Sequence, residues 1–261
     1  MNNNRSSSTA ALNVVVATAS REGTQGPIAD AVRHYVAADH TTAVAVIDGA
    51  GHEADVVAIA PILAEVAARN AAQHGAVHGV LSAAALVTDR GPNGDGPRAV
   101  AAVVVCPPEG ETKAAFTGDC AIFGSDGERL HRYSSAQTVA GLIQDYLQIT
   151  VPLPFTTHDH LRSDLTTATL NTVPGVLIPE NELVLIVSDG VDDTVSEKRL
   201  QELAIAHADD PQRLADEVAA AAGLNEAGYR DDATVAVVLR PAARTALLPS
   251  ETDEADRSSS S

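Results

Sequence analysis

The sequence predicts an α+β domain, and three observations predict it. Short β-rich runs recur from Val14 to Leu239, some of them are joined at hairpin spacing, and helical stretches interrupt the series without alternating strictly with strands. Strict alternation would instead suggest a parallel, doubly wound sheet. The 261 residues suffice for one large domain or two small ones, and 45% of them are apolar, enough for a sizeable core. Trp is absent and aromatics make up 3%. A core of Ala and β-branched side chains therefore favours strands with Ala-rich helices packed on them.

Taken in order, Val14–Thr18 and Ala43–Ile47 read as strands. Ala54–His74 reads as a helix, because Val56, Ile59, Leu63 and Val66 recur at helical spacing, and Gly79–Thr88 reads as another. Val100–Cys106 and Lys113–Thr117 are strands. A hairpin is expected around Ser125-Asp126-Gly127, between Cys120–Phe123 and Arg129–Tyr133. Residues 134–172 form a long insertion, read as a flap: a helical piece, Gln137–Leu147, leads into an irregular run through Pro152, Pro154 and His158-Asp159-His160. Leu183–Val187 and Thr234–Leu239 close the strand series. Between them Pro211–Ala222 is a helix, with Asp210 as its cap, Pro211 in its first turn and Gly223 at its exit. The domain spans 11–242. The Asn/Ser-rich residues 1–10 and the acidic, Ser-rich residues 243–261 are expected to be unstructured tails.

Charge narrows the function. Seventeen basic against 35 acidic residues give a net charge of −18, which opposes nucleic acid or an anionic membrane as the main partner. A phosphorylated substrate stays open, because bound metal ions reverse the local sign of charge. Two cysteines make no disulfide framework, and no apolar run has membrane-spanning length, so a cytoplasmic protein is expected. Cys106 and Cys120 read as small core residues, and one His-Asp-His lacks partners at metal-ligand spacing.

The chemistry gathers at strand ends. AVAVI leads into Asp48-Gly49-Ala50-Gly51-His52, AAFT into Gly118-Asp119, LVLIV into Ser188-Asp189-Gly190, and Asp231-Asp232 precedes ATVAVVL. Each dipeptide alone is an ordinary turn, and Asp126-Gly127 is read as only that. As an ordered set, aspartates on rigid strand ends can converge, and clustered carboxylates require cations; hard oxygen donors suit Mg²⁺ or Mn²⁺.

This set resembles the metal-dependent protein phosphatases, the type 2C serine/threonine phosphatases. The Asp-Gly-x-Gly, Gly-Asp-Ser, Ser-Asp-Gly and closing Asp-Asn motifs of that family are similar to DGAG, TGDC, SDGVDD and DDATVAVV here, in order over Val14–Leu239. The resemblance implies two stacked antiparallel β-sheets flanked by helix pairs. It implies that Asp48 bridges two metals with the Gly49 carbonyl as a further ligand, that Asp189 and Asp231 hold one metal from the other side, and that Asp119 and Asp193 line a third position. Asp30 would sit near the metals. A metal-bridging hydroxide would hydrolyse phosphoserine or phosphothreonine directly, with Arg21 gripping the phosphate and His52 a candidate general acid. The implied cofactors are two or three Mn²⁺ or Mg²⁺ ions, and the implied substrate is a phosphorylated protein, a serine/threonine kinase or its target, met by a monomer.

Three departures from the family pattern stand out. Ala29 precedes Asp30 where an acidic residue is usual, and Arg21 lies nine residues before Asp30, so a longer loop must return it or Gln25 takes its place. Ala50 stands where a histidine is common, with His52 two residues on; Cys120 and Asp232 replace Ser and Asn. Two further readings therefore stand beside the phosphatase: a pseudophosphatase that binds phosphoproteins without turnover, and a hydrolase of small phosphates closed by the flap.

Overall fold

A computed structural model describes residues 14–147, 160–179, 183–225 and 228–240. The expected tails, His158-Asp159 and the middle of the 134–172 insertion lie outside the described residues.

Two five-stranded antiparallel sheets stack face to face. The first has the order β1 (Val15–Arg21), β10 (Ala233–Leu239), β9 (Leu183–Val187), β6 (Ala121–Ser125), β7 (Leu130–Arg132). The second runs β2 (Ala31–Val36), β3 (Thr42–Gly49), β4 (Ala99–Cys106), β5 (Thr112–Thr117), β8 (Gly175–Ile178). Strand side chains alternate between faces, so each sheet feeds two cores. Val44, Val46, Val104 and Phe116 from the second sheet meet Ile122, Ile186 and Val238 from the first. On the opposite face of the second sheet, Ala45, Ile47 and Val103 pack against α1 (Ala54–His74) and α2 (Ala76–Ala84). The first sheet's outer face buries Leu185, Val187 and Val237 under α4 (Asp189–Asp192), α5 (Glu197–Ala206) and α6 (Pro211–Ala221). The result is the α-β-β-α sandwich the sequence led us to expect.

Small side chains permit this stacking. Helix α1 buries Ala60, Ala64, Ala67, Ala68 and Ala71, a stripe that sits close to the sheet with little side-chain entropy lost on ordering. Asp210 caps α6 as expected, accepting the Arg213 N–H at 3.0 Å. The Asp126-Gly127 turn is also as read: Asp126 accepts the N–H groups of Glu128 and Arg129 and Gly127 has φ +90°. Both cysteines are buried.

Strand ends shift by one to three residues, β1 running on to Arg21 rather than Thr18, and two helices shift as well. The second helix spans Ala76–Ala84 rather than Gly79–Thr88, and the helix of the insertion, α3, begins at Val139 rather than Gln137. Gln137 instead ties the insertion down, accepting the Gly118 N–H and donating to the Thr172 carbonyl, both at 3.0 Å. Among the described residues no helix is long and apolar enough to cross a membrane.

Candidate metal centre and phosphate site

The aspartates converge because the sheets are antiparallel and their ends abut. Asp48 ends β3, Asp119 follows the turn out of β5, Asp189 opens α4 directly after β9, and Asp231 precedes β10. One carboxylate oxygen from each of Asp48, Asp119 and Asp189 lies within 4.8 Å of the others. All three are half-buried, and Asp119 and Asp231 engage further neighbours. Local backbone fixes two of them. Gly118 has φ +94°, and a Cβ there would lie 2.1 Å from Val100 Cγ1, so only glycine makes this turn. Gly190 lets α4 approach the Asp232 carbonyl, which a Cβ would meet at 2.1 Å.

Burial and mutual repulsion dominate the electrostatics. Burial, then the charges of Asp189, Asp30 and Asp119, push the Asp48 carboxyl well above the usual carboxylate range. Asp189 is pushed up likewise, by burial and then by Asp119, Asp231 and Asp193. Such a group holds an excess of negative charge that a divalent cation would neutralise.

Asp30 sits behind this cluster. It is buried, accepts the Ser188 hydroxyl at 2.8 Å, and burial pushes its carboxyl up to about 7 despite that hydrogen bond. Ser188 in turn accepts the Thr234 N–H at 2.9 Å, so Asp30 links the end of β9 to the start of β10.

The cluster floors a cavity of about 290 Å³. Its wall includes Gln25, Gly49, His52, Asp193, Tyr229 and Asp231, with Val100 and Leu161 as its large apolar members. His52 Nδ1 lies 3.2 Å from the Pro27 carbonyl and 3.8 Å from Asp232 Oδ2. Of the residues singled out in the sequence, Asp48, Gly49, His52, Asp119, Asp189, Asp193 and Asp231 line this cavity. Arg21 and Asp30 do not. Arg21 points elsewhere: its Nη1 donates to the carbonyls of Ala220 at 2.9 Å and Ala222 at 3.0 Å, capping the C-terminus of α6. The longer loop does not return it, whereas Gln25 reaches the cavity.

Sequence reasoning missed Asp192, Tyr229 and Thr138 in the wall. Asp192 pairs with Arg132, whose Nε also meets Glu197 at 3.1 Å and whose guanidinium lies 4.7 Å over the Phe123 ring. The extra aspartate in VDD was the available signal; its partner 60 residues away was not readable.

Solved structures share this architecture. A Streptococcus agalactiae serine/threonine phosphatase matches with a TM-score of 0.68 at 14% identity, over 87% of this chain and 99% of that one. The PPM Ser-Thr phosphatase MsPP from Mycobacterium smegmatis, solved in complex with cacodylate, matches with a TM-score of 0.64 at 21% identity, over 86% and 97%. The Mycobacterium tuberculosis phosphatase PstP matches with a TM-score of 0.63 at 20% identity, over 87% and 98%. No protein-family model matches the sequence, and no curated protein matches it either. The fold is that of the PPM serine/threonine phosphatases, as the motif order implied.

Proposed function

We propose that the chain is a divalent-metal-dependent phosphatase of phosphoserine and phosphothreonine in proteins, a cytoplasmic monomer acting on a kinase or its targets. The observation that carries this is the meeting of Asp48, Asp119 and Asp189 at the floor of an open cavity, in a fold shared with serine/threonine phosphatases. The donor set fits Mg²⁺ or Mn²⁺, being all hard oxygen and overcharged without a cation. When bound, such ions supply Lewis-acid charge and acidify a water.

The chain's own groups divide the remaining work. Asp48 with the Gly49 carbonyl on one sheet, and Asp189 and Asp231 on the other, would hold two ions; Asp119 and Asp193 would hold a third. Asp30 is a supporting acid behind them. His52 has Nδ1 turned toward Pro27 and Asp232, which leaves Nε2 to protonate the leaving oxygen. Gln25 and Tyr229 can offer neutral hydrogen bonds to the phosphate, the part the resemblance gave to Arg21.

The test is hydrolysis of a phosphothreonine peptide by the purified protein with Mn²⁺, with Mg²⁺ and with chelator. Phosphate release that requires metal and disappears in Asp48→Asn supports the reading. A second reading, the non-hydrolysing phosphoprotein binder, is favoured by Arg21's engagement with α6 together with Ala29 and Ala50. It wins if metal stabilises the protein and no peptide is hydrolysed.

A further inference from the structure

A cavity that receives a phosphate dianion ordinarily carries a guanidinium or ammonium group to meet it. Among the described residues this one carries six aspartates in its wall and neither Lys nor Arg. Four cations around it are engaged with other groups, one of them, Arg132, with the wall's own Asp192. Arg21 caps α6, Arg132 pairs with Asp192 and Glu197, Arg98 pairs with Asp164, and Arg230 donates to the Glu22 carbonyl. Residues 148–159 contain neither Lys nor Arg.

The segments that lead into the cavity are mostly acidic. Glu22, Glu53 and Asp55 are exposed within three residues of the cavity-lining Gln25 and His52, against the exposed Arg162 next to Leu161. Glu53 folds against the cavity-lining Gly51, where a Cβ would meet the carboxylate. Two divalent ions on the floor would offset four of these charges and hold the phosphate itself, while leaving the surface above it acidic. At −18 overall, the protein's field repels a peptide that carries further acids.

We propose that this cavity selects phosphosites flanked by basic residues, the substrate supplying the positive charge that the wall lacks. The inference rests on the phosphatase reading for turnover, but flank selection applies equally to binding.

The experiment uses three phosphothreonine peptides of one length, flanked on both sides by Arg, by Gln or by Glu. Hydrolysis is measured with Mn²⁺ at low and high salt, and binding of fluorescent versions by anisotropy. The expected kcat/KM for the Arg-flanked peptide is about tenfold or more above that of the Glu-flanked one, with Gln between, and the ratio shrinks toward one in about 0.5 M salt. Glu53→Gln combined with Asp55→Asn is expected to reduce the ratio while leaving the hydrolysis rate of p-nitrophenyl phosphate unchanged. Equal or reversed preference in both hydrolysis and binding overturns the proposal. Preferential binding of the Arg-flanked peptide without phosphate release from any substrate overturns the phosphatase reading and upholds flank selection.

Discussion

Asp232 Oδ2 accepts the backbone N–H of Ala29 at 2.7 Å, while its Oδ1 accepts that of Gly23 at 2.6 Å. One carboxylate thus clamps both ends of the loop that carries Gln25 into the cavity. An amide could accept only one of these bonds and would turn its NH₂ toward the other donor. Asp232→Asn is therefore expected to cost about 1–3 kcal/mol of stability and to raise the KM for phosphopeptide through Gln25. Thermal unfolding and steady-state kinetics check both, and an Asn variant of unchanged Tm and KM would refute the clamp.

Arg21 separates the structural assignment from the one implied by resemblance. With its guanidinium on Ala220 and Ala222, Arg21→Met should loosen the end of α6, at a cost of about 1 kcal/mol. The KM for a phosphopeptide should change by less than about twofold. A large rise in KM at unchanged stability would return Arg21 to the phosphate.

In the metal-free protein the clustered carboxylates oppose one another. Asp48→Asn and Asp189→Asn should each weaken Mn²⁺ binding by about a hundredfold or more and abolish hydrolysis. Without metal, each should stabilise the fold by about 0.5–1 kcal/mol, a rise of a few degrees in Tm. Titration calorimetry and melting in chelator measure the two effects, and a variant that keeps its affinity would remove that residue from the metal site.

The fold was largely legible because its central strands are unbroken apolar runs, buried on both faces. The elements missed were those whose burial is partial. Strand β2, AVRHYV, is an edge strand with exposed Arg33 and His34, and β8 has only four residues. Helix α5 buries just Leu200, Leu203 and Ala204, too narrow a stripe to register in a charged segment. At the site, the aspartates could be read because each follows or precedes a strand. The fate of Arg21 could not, since α6 lies some 200 residues further along the chain.

Asp164 gives a pH-dependent test away from the metal centre. Burial raises its pKa, but hydrogen bonds from Thr166 and Arg98 outweigh that and hold its carboxyl below the usual range. A depressed folded pKa contributes stability above the unfolded value near 3.8, and that contribution fades as pH falls through the folded value. Asp164→Asn should cost about 1–2 kcal/mol at pH 7, from the lost ion pair with Arg98 and the weakened bonds from Thr166, and the difference from wild type should narrow below about pH 4. A gap independent of pH would exclude the ionised pair as its source.

The division of the carboxylates between the two sheets has a mechanical consequence. An ion held by Asp48 and Asp189 would tie together positions 141 residues apart in the chain. It would act as a removable crosslink across the central layer, closing a long loop and so restricting the unfolded ensemble. Amide exchange at the facing ends of β3 and β9 should then slow on loading and quicken in chelator, while the far ends of the same strands stay unaffected. Metal supply would set how firmly the two halves of the sandwich are fastened.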